Sequence, residues 1–217
     1  MLLKNSYYWF KEVLTPKFCD DVIKYGNSKN KKTALIGGIG ENRDLNKNPL
    51  TKKEIKNLQK IRKSEVIWMT DQWIYKEIIP YVKIANQKAG WNFQFDRSEA
   101  CQFTTYGPGQ YYDWHCDSNE DPYKRENEND PEHGKIRKLS VTCSLTDPKK
   151  YKGGELEFNF NRPNQKKKYN IKKCIEILPK GSIVVFPSFV WHRVCPVTKG
   201  TRNSLVIWNI GWPFKWV

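Results

Sequence analysis

From position 99 onward, short apolar runs alternate with turn residues, and that texture restricts the fold more than any other feature of the chain. The runs at 99–106, 111–115, 136–145, 154–160, 169–177, 182–186, 191–195 and 203–210 are rich in β-branched and aromatic residues, with Gly, Pro, Asn and Asp between them. Eight strands within 99–212 predict a double-stranded β-helix, the jelly-roll or cupin-like arrangement of two facing sheets. Helical spacing is confined to the first 98 residues. Thr15-Pro16 reads as an N-cap with proline at the first helical position, and Phe18, Val22 and Tyr25 then form a stripe, so a helix is expected over 16–28. The polar stretch 29–49, with Gly37, Gly38 and Gly40, reads as a loop, and 64–69 as a strand. Residues 71–89 carry Trp73, Ile74, Ile78, Tyr81, Ile84 and Ala85 at helical spacing, and Pro80 argues against perfect regularity there. The expected class is mostly β with N-terminal helices (α+β). One domain over 1–217 is expected, with 1–98 as helical support and 99–212 as the core.

The chemistry concentrates in YGPGQYYDWHCD, residues 106–117. Residues i and i+2 of an extended strand share a face, so His115 and Asp117 converge on one point. The chain holds three histidines; His133 lies in the polar stretch 118–135, and His192 lies beside the apolar run 182–186. His133 reads as a solvated residue, and the stretch around it is expected to overhang the site. His115, Asp117 and His192 make the two-histidine, one-carboxylate set that holds a non-haem iron(II) with positions left open. An iron oxygenase needs two electrons beyond those its substrate gives, and 2-oxoglutarate can supply them by decarboxylation to succinate. Its far carboxylate then requires a fixed cation, and a guanidinium can grip it through two parallel hydrogen bonds. Arg202 stands ten residues after His192, with Ser204 at i+2 on the same face, whereas Arg193 points away from its neighbour His192.

The formal charge of +15 suggests an anionic partner. The basic residues are 30 lysines and eight arginines, a profile that A-rich coding bias also produces, so nucleic acid is not the favoured partner. Six cysteines at 19, 101, 116, 143, 174 and 195 show no CxxC spacing. They read as reduced thiols of a cytoplasmic protein, and neither a signal peptide nor a membrane-spanning run is apparent.

These motifs together resemble the prolyl-4-hydroxylase-like branch of the iron(II)/2-oxoglutarate dioxygenases, notably the PKHD-type hydroxylases. The family pattern Y-x-x-G-x-x-Y-x-x-H-x-D is met by Tyr106, Gly109, Tyr112, His115 and Asp117. A central segment runs from Leu139-Ser140-Val141-Thr142 to Gly153-Gly154-Glu155-Leu156. The last piece runs from Gly181 through His192 to Arg202, with Trp208 beyond. The resemblance implies iron(II) held by His115, Asp117 and His192, 2-oxoglutarate on Arg202, O2 as oxidant and ascorbate in support. It also implies that Tyr106 or Tyr112, Thr142, Ser204 and Trp208 line the cosubstrate pocket, with Ser140 and Ser144 on the same strand as Thr142. Gly153-Gly154 would mark a close backbone approach. The implied reaction is hydroxylation of an aliphatic C–H, foremost a prolyl residue of a peptide or protein. A small amino acid or metabolite is an alternative substrate, and a jelly roll that binds metal without turnover is a further reading. Nucleic-acid demethylation fits less well, since demethylases place a second arginine where this chain has Trp208. A zinc hydrolase would leave Arg202 unexplained.

Overall fold

The computed structural model describes residues 5–30, 32–34, 47–118, 121–160 and 170–214. The chain starts with β1 (Tyr8–Phe10) and α1 (Pro16–Asn27). The Thr15 hydroxyl caps α1 by accepting from the Phe18 amide at 3.1 Å, as the Thr-Pro pair predicted. Part of the expected loop pairs as β2 (Lys32–Thr33), while residues 31 and 35–46 lie outside the described residues. Next come α2 (Lys52–Ile61), β3 (Arg62–Lys63) and β4 (Glu65–Met69). Helix α2 was not anticipated from periodicity, because it buries a single residue, Leu58. Its local signal was Thr51-x-x-Glu54, which forms a complete capping box. Helix α3 (Gln72–Lys88) runs through Pro80, and Asp71 at its N-cap accepts from the Tyr25 hydroxyl at 2.9 Å instead of capping the helix.

The strands that follow are β5 (Arg97–Ser98), β6 (Cys101–Tyr106), β7 (Tyr111–His115), β8 (Ile136–Ser144), β9 (Tyr151–Gly153) and β10 (Leu156–Asn159). The last five are β11 (Ile171–Lys173), β12 (Ile183–Pro187), β13 (Trp191–Val194), β14 (Val197–Gly200) and β15 (Arg202–Gly211). The strand expected to continue to 177 stops at Lys173, and a 3-10 turn over Ile175–Ile177 takes its place. The larger sheet has the order β1-β12-β8-β15-β6-β4-β2, with β5 also on β15. The smaller one has the order β11-β10-β13-β7-β3, and β14 pairs with β9 in a separate ribbon. This is the expected jelly-roll arrangement, mostly β with helices supplied by the N-terminal part.

Alternation along β8 and β15 decides what each face of the larger sheet does. Leu139, Val141, Cys143, Leu205 and Ile207 are fully buried in one cluster with Val22 of α1 and Ile74, Ile78 and Val82 of α3. Burying a side chain of this size contributes about 1.5–3 kcal/mol. Helix α1 comes so close to the sheet that a Cβ on Gly26 would sit 2.6 Å from the Phe103 ring. The opposite face carries Thr104, Thr142, Arg202 and Ser204 toward the smaller sheet. Polar side chains buried between two sheets need a reason, and the cavity they line provides it.

Candidate metal centre and adjoining cavity

Strands β7 and β13 pair with His115 directly opposite His192, and the register then shifts through a bulge before Val194. Each imidazole is oriented from behind. The Nδ1 of His115 lies 2.7 Å from the Asp113 carbonyl, and the Nδ1 of His192 lies 2.9 Å from the Val190 carbonyl. A carbonyl only accepts, so each ring carries a proton on Nδ1 and turns its Nε2 inward. Asp117 follows β7, and its amide donates to the Ser188 carbonyl at 2.8 Å. The Ser140 hydroxyl donates to Asp117 Oδ2 at 2.7 Å, with Ser188 Oγ a further 2.9 Å from Ser140 Oγ.

The donor atoms of His115, Asp117 and His192 all lie within 4.8 Å of one another. Nε2 of His115 is 3.7 Å from Asp117 Oδ1, and Nε2 of His192 is 3.6 Å from Oδ2. These gaps are too wide for hydrogen bonds, yet a divalent ion about 2.0–2.2 Å from each ligand spans them. Burial, reinforced by neighbouring His192, lowers the His115 pKa to about 3 and keeps that ring neutral. Burial alone would raise Asp117, but its surroundings, Arg137 and the Ser140 hydrogen bond among them, outweigh it and hold the carboxyl below its ordinary value. Two imidazole Nε2 atoms and one carboxylate turned toward one point form a donor set suited to a divalent transition metal.

The three residues open onto a cavity between the sheets. Tyr106, Tyr112, Thr142, Arg202, Ser204 and Trp208 all line it, so every pocket residue expected from the sequence is brought to one place. Arg202 is buried, its Nη1 donates to Ser204 Oγ at 3.1 Å, and its guanidinium lies over the Tyr106 ring at 5.5 Å. No carboxylate pairs with it among the described residues. A desolvated guanidinium without a counter-ion is costly and prepares the site for an anionic ligand. Gly154 clears the space: its φ is +67°, and a Cβ there would meet Arg202 Cδ at 2.9 Å. Tyr112 stacks on His115 with centroids 3.5 Å apart, and burial pushes its phenol up to about 12, so it stays neutral. The buried Nε1 of Trp208 has no hydrogen-bond partner among the described residues. A ligand acceptor in the cavity would satisfy it.

A model of the 2OG-Fe(II) oxygenase superfamily matches residues 101–209, half of the chain. The chain belongs to that superfamily. It is 36% identical over 107 residues to a PKHD-type hydroxylase of Klebsiella pneumoniae, covering 49% of this chain and 41% of that protein. A PKHD-type hydroxylase of Picosynechococcus is 34% identical over 110 residues, which cover 51% of this chain and 41% of that protein. The chain thus matches about two-fifths of the length of these curated relatives. Among solved structures, a viral collagen prolyl hydroxylase from Paramecium bursaria Chlorella virus-1 superposes with a TM-score of 0.61 at 20% identity, covering 95% of this chain and 97% of that one. A prolyl hydroxylase from Trichoplax adhaerens, in complex with a hypoxia inducible factor peptide fragment, gives a TM-score of 0.58 at 17% identity over 94% of this chain and 83% of that one. These likenesses confirm the oxygenase fold.

Two features of the structure differ from the reading of the sequence. The polar stretch 118–135 was expected to overhang the ligands, but none of its described residues lines the cavity. It is fastened alongside: Tyr123 donates to Glu99 at 2.8 Å, and Lys135 to Asp96 at 2.8 Å. Glu99 also receives Arg137, whose guanidinium lies 4.0 Å from the Trp208 ring centroid. The other feature is a second buried arginine in the cavity, Arg62, which sequence reasoning missed. It donates to Ser64 and Gln102 and lies over Tyr112 at 4.4 Å. Its place at the end of a lysine-rich run disguised it as a surface residue. Of the hydroxyl-bearing residues on β8, Thr142 faces the cavity, Ser140 serves Asp117, and Ser144 does not line the cavity.

Proposed function

We propose that the protein is an Fe(II)- and 2-oxoglutarate-dependent dioxygenase that hydroxylates an aliphatic C–H, a prolyl residue of a peptide or protein. One observation carries this reading. A His-Asp-His donor set and a buried arginine without an acid partner among the described residues share one cavity. In this reading His115, Asp117 and His192 hold iron(II), and Arg202 with Ser204 receives the far carboxylate of 2-oxoglutarate. Iron and cosubstrate, when bound, supply the oxidising chemistry: O2 is consumed, 2-oxoglutarate loses CO2 to become succinate, and the substrate carbon gains a hydroxyl.

The chain's own part is positioning and exclusion of water. Tyr106 and Thr142 wall the carboxylate pocket, and Tyr112 backs His115. Trp208 and the half-exposed Trp68, with centroids 5.9 Å apart, offer an aromatic wall against which an apolar imino ring packs. The relatives support a peptide substrate: one solved neighbour is a prolyl hydroxylase holding a peptide fragment. Ascorbate is the reductant expected to sustain turnover. The six unpaired cysteines suit a cytoplasmic setting, and no described helix is long and apolar enough to cross a membrane.

The test is succinate formation by protein loaded with iron(II) under anaerobic conditions, then given 2-oxoglutarate and oxygen, wild type beside His115→Ala. Wild type should give an iron-dependent signal that the variant lacks, and a proline-containing peptide should gain one oxygen atom. If wild type makes no succinate and 2-oxoglutarate raises no charge-transfer absorbance on the iron-loaded protein, the reading is wrong.

A further inference from the structure

The segment from α2 into β3 has charges that nothing in the described structure answers. Six of its twelve residues are basic, namely Lys52, Lys53, Lys56, Lys60, Arg62 and Lys63, against one acid, Glu54. The Glu54 carboxylate is engaged in the capping box, accepting from the Thr51 amide at 2.7 Å and hydroxyl at 2.8 Å. None of the five lysines has an ion pair among the described residues. Lysines elsewhere do: Lys17 with Asp21, Lys135 with Asp96, Lys173 with Glu155 and Lys180 with Asp20.

Helix α2 is also bare. Leu58 is its single buried residue, and Ile55 and Ile61 are 37% and 40% exposed among the lysines. A ten-residue helix is too short to be stable by itself. It is fixed at its ends, by the capping box at one and by the Tyr111 hydroxyl, 2.8 Å from the Gln59 carbonyl, at the other. Tyr111 begins the strand that bears His115, so this basic face is fastened to the metal site.

Arg62 continues the same segment into the cavity. It is 6% exposed, no carboxylate pairs with it among the described residues, and its Nη1 has no acceptor among them. In the reading proposed above, Arg202 takes the cosubstrate's far carboxylate and Asp117 goes to the metal. Together with a divalent ion, the two arginines then exceed Asp117 and the dicarboxylate by one positive charge, and Arg62 is the cation left unanswered.

We infer that the α2–β3 segment is a docking track for an acidic polypeptide, with an acidic residue close to the oxidised position pairing with Arg62. Further acidic residues lie along the lysine face of α2. A ten-residue helix is about 15 Å long, the reach of four to five extended residues. The exposed isoleucines favour a polypeptide that alternates acidic and apolar side chains. A nucleic-acid strand would call for arginines and stacking rings on this face, and α2 carries neither. This inference rests on the proposed peptide substrate and goes beyond it by naming the kind of peptide.

The experiment is anisotropy of fluorescein-labelled nonapeptides on the full chain charged with iron(II) and 2-oxoglutarate under argon. One peptide carries a central proline flanked by glutamates, its counterpart has glutamine at those places, and an oligothymidine of equal charge competes. The glutamate peptide should bind at least about tenfold more tightly at low salt, and the advantage should shrink at high salt. Arg62→Gln should weaken the glutamate peptide and not the glutamine one. A variant carrying K52E, K53E, K56E and K60E should lose the preference while keeping a wild-type circular dichroism spectrum. Equal affinity for the two peptides overturns the inference, as does an oligothymidine that binds more tightly than either. If succinate forms and both peptides are hydroxylated equally, the track is wrong while the oxygenase reading stands; absence of succinate and of charge-transfer absorbance strikes that reading instead.

Discussion

The sheet that carries Arg202 and the sheet that carries the two histidines face the same cavity, but among the described residues only the first has a layer of helices packed behind it. Strands β8 and β15 run nine and ten residues, and the residues on their far side pack on α1 and α3. The strands bearing the histidines, β7 and β13, have five and four residues and a shifted register between them. Their outer face meets solvent, with Trp191 half exposed and Arg193 paired to Glu157. Arg202 is therefore set in a wall backed by helices, and the imidazoles in one that faces solvent behind. Asp117 links the two: it follows the thin strand β7, yet its carboxylate is held by Ser140 of the thick sheet. The lesson is that a carboxylate following a thin sheet can be positioned by tying it to the thicker one.

The largest expected effect strikes the thick wall. Leu205 is fully buried between the sheet and its helices, so Leu205→Ala should cost about 2–5 kcal/mol of stability in urea unfolding. A loss below about 1 kcal/mol, smaller than any ordinary buried-leucine truncation, would erase the contrast between the walls. Close behind comes Arg202→Ala, which removes one of the cavity's two buried arginines. It should weaken 2-oxoglutarate by about 2–5 kcal/mol, read by titration of the charge-transfer band. Unchanged affinity would move the anchor elsewhere, with Arg62 the next candidate.

Ser140→Ala probes the tie between the walls. It removes the hydroxyl that holds Asp117 Oδ2 and leaves the three donors in place. Loss of such a supporting hydrogen bond costs about 10–100-fold in metal affinity. Competition with a metal chelator measures it, and Ser140→Thr should restore much of the loss. If Ser140→Ala binds metal as wild type does, the thin sheet positions Asp117 unaided.

Much of this arrangement was legible in the sequence, and what was not shares a cause. Strands bearing the site residues announced themselves within a residue or two, because alternation and turn residues are local signals. His115, Asp117, His192, Arg202 and Ser204 could be read from strand periodicity and spacing alone. Arg62 could not, because its burial arises from pairing with Tyr112 across strands and from Gln102 on another sheet. The ribbon of β9 with β14 escaped for the same reason: Lys152 stands opposite Lys199, and no local pattern foretells that pairing. Helix α2 was missed because the eye for periodicity looks for a buried face, and this helix has almost none. The expected overhang of 118–135 assumed that a segment following a ligand must cover it, whereas Glu99 and Asp96 draw it aside.

The smallest expected effect belongs to the outer face of the thin sheet. Arg193 on β13 bonds Glu157 directly across on β10 at 2.8 Å and covers Trp114 of β7, so it links three neighbouring strands. The pair is partly solvated, with side chains 34% and 18% exposed, and water screens most of its attraction. Arg193→Ala should therefore cost only about 0.2–1 kcal/mol in unfolding, the range of a cross-strand pair. Because His192 precedes Arg193 and points the other way, metal affinity should stay within about threefold, less than a 1 kcal/mol change. A larger fall in metal affinity without matching loss of stability would mean that the outer pair sets the angle of β13. The thin sheet would then hold its histidines from outside, and the role given to Ser140 would be shared with Arg193.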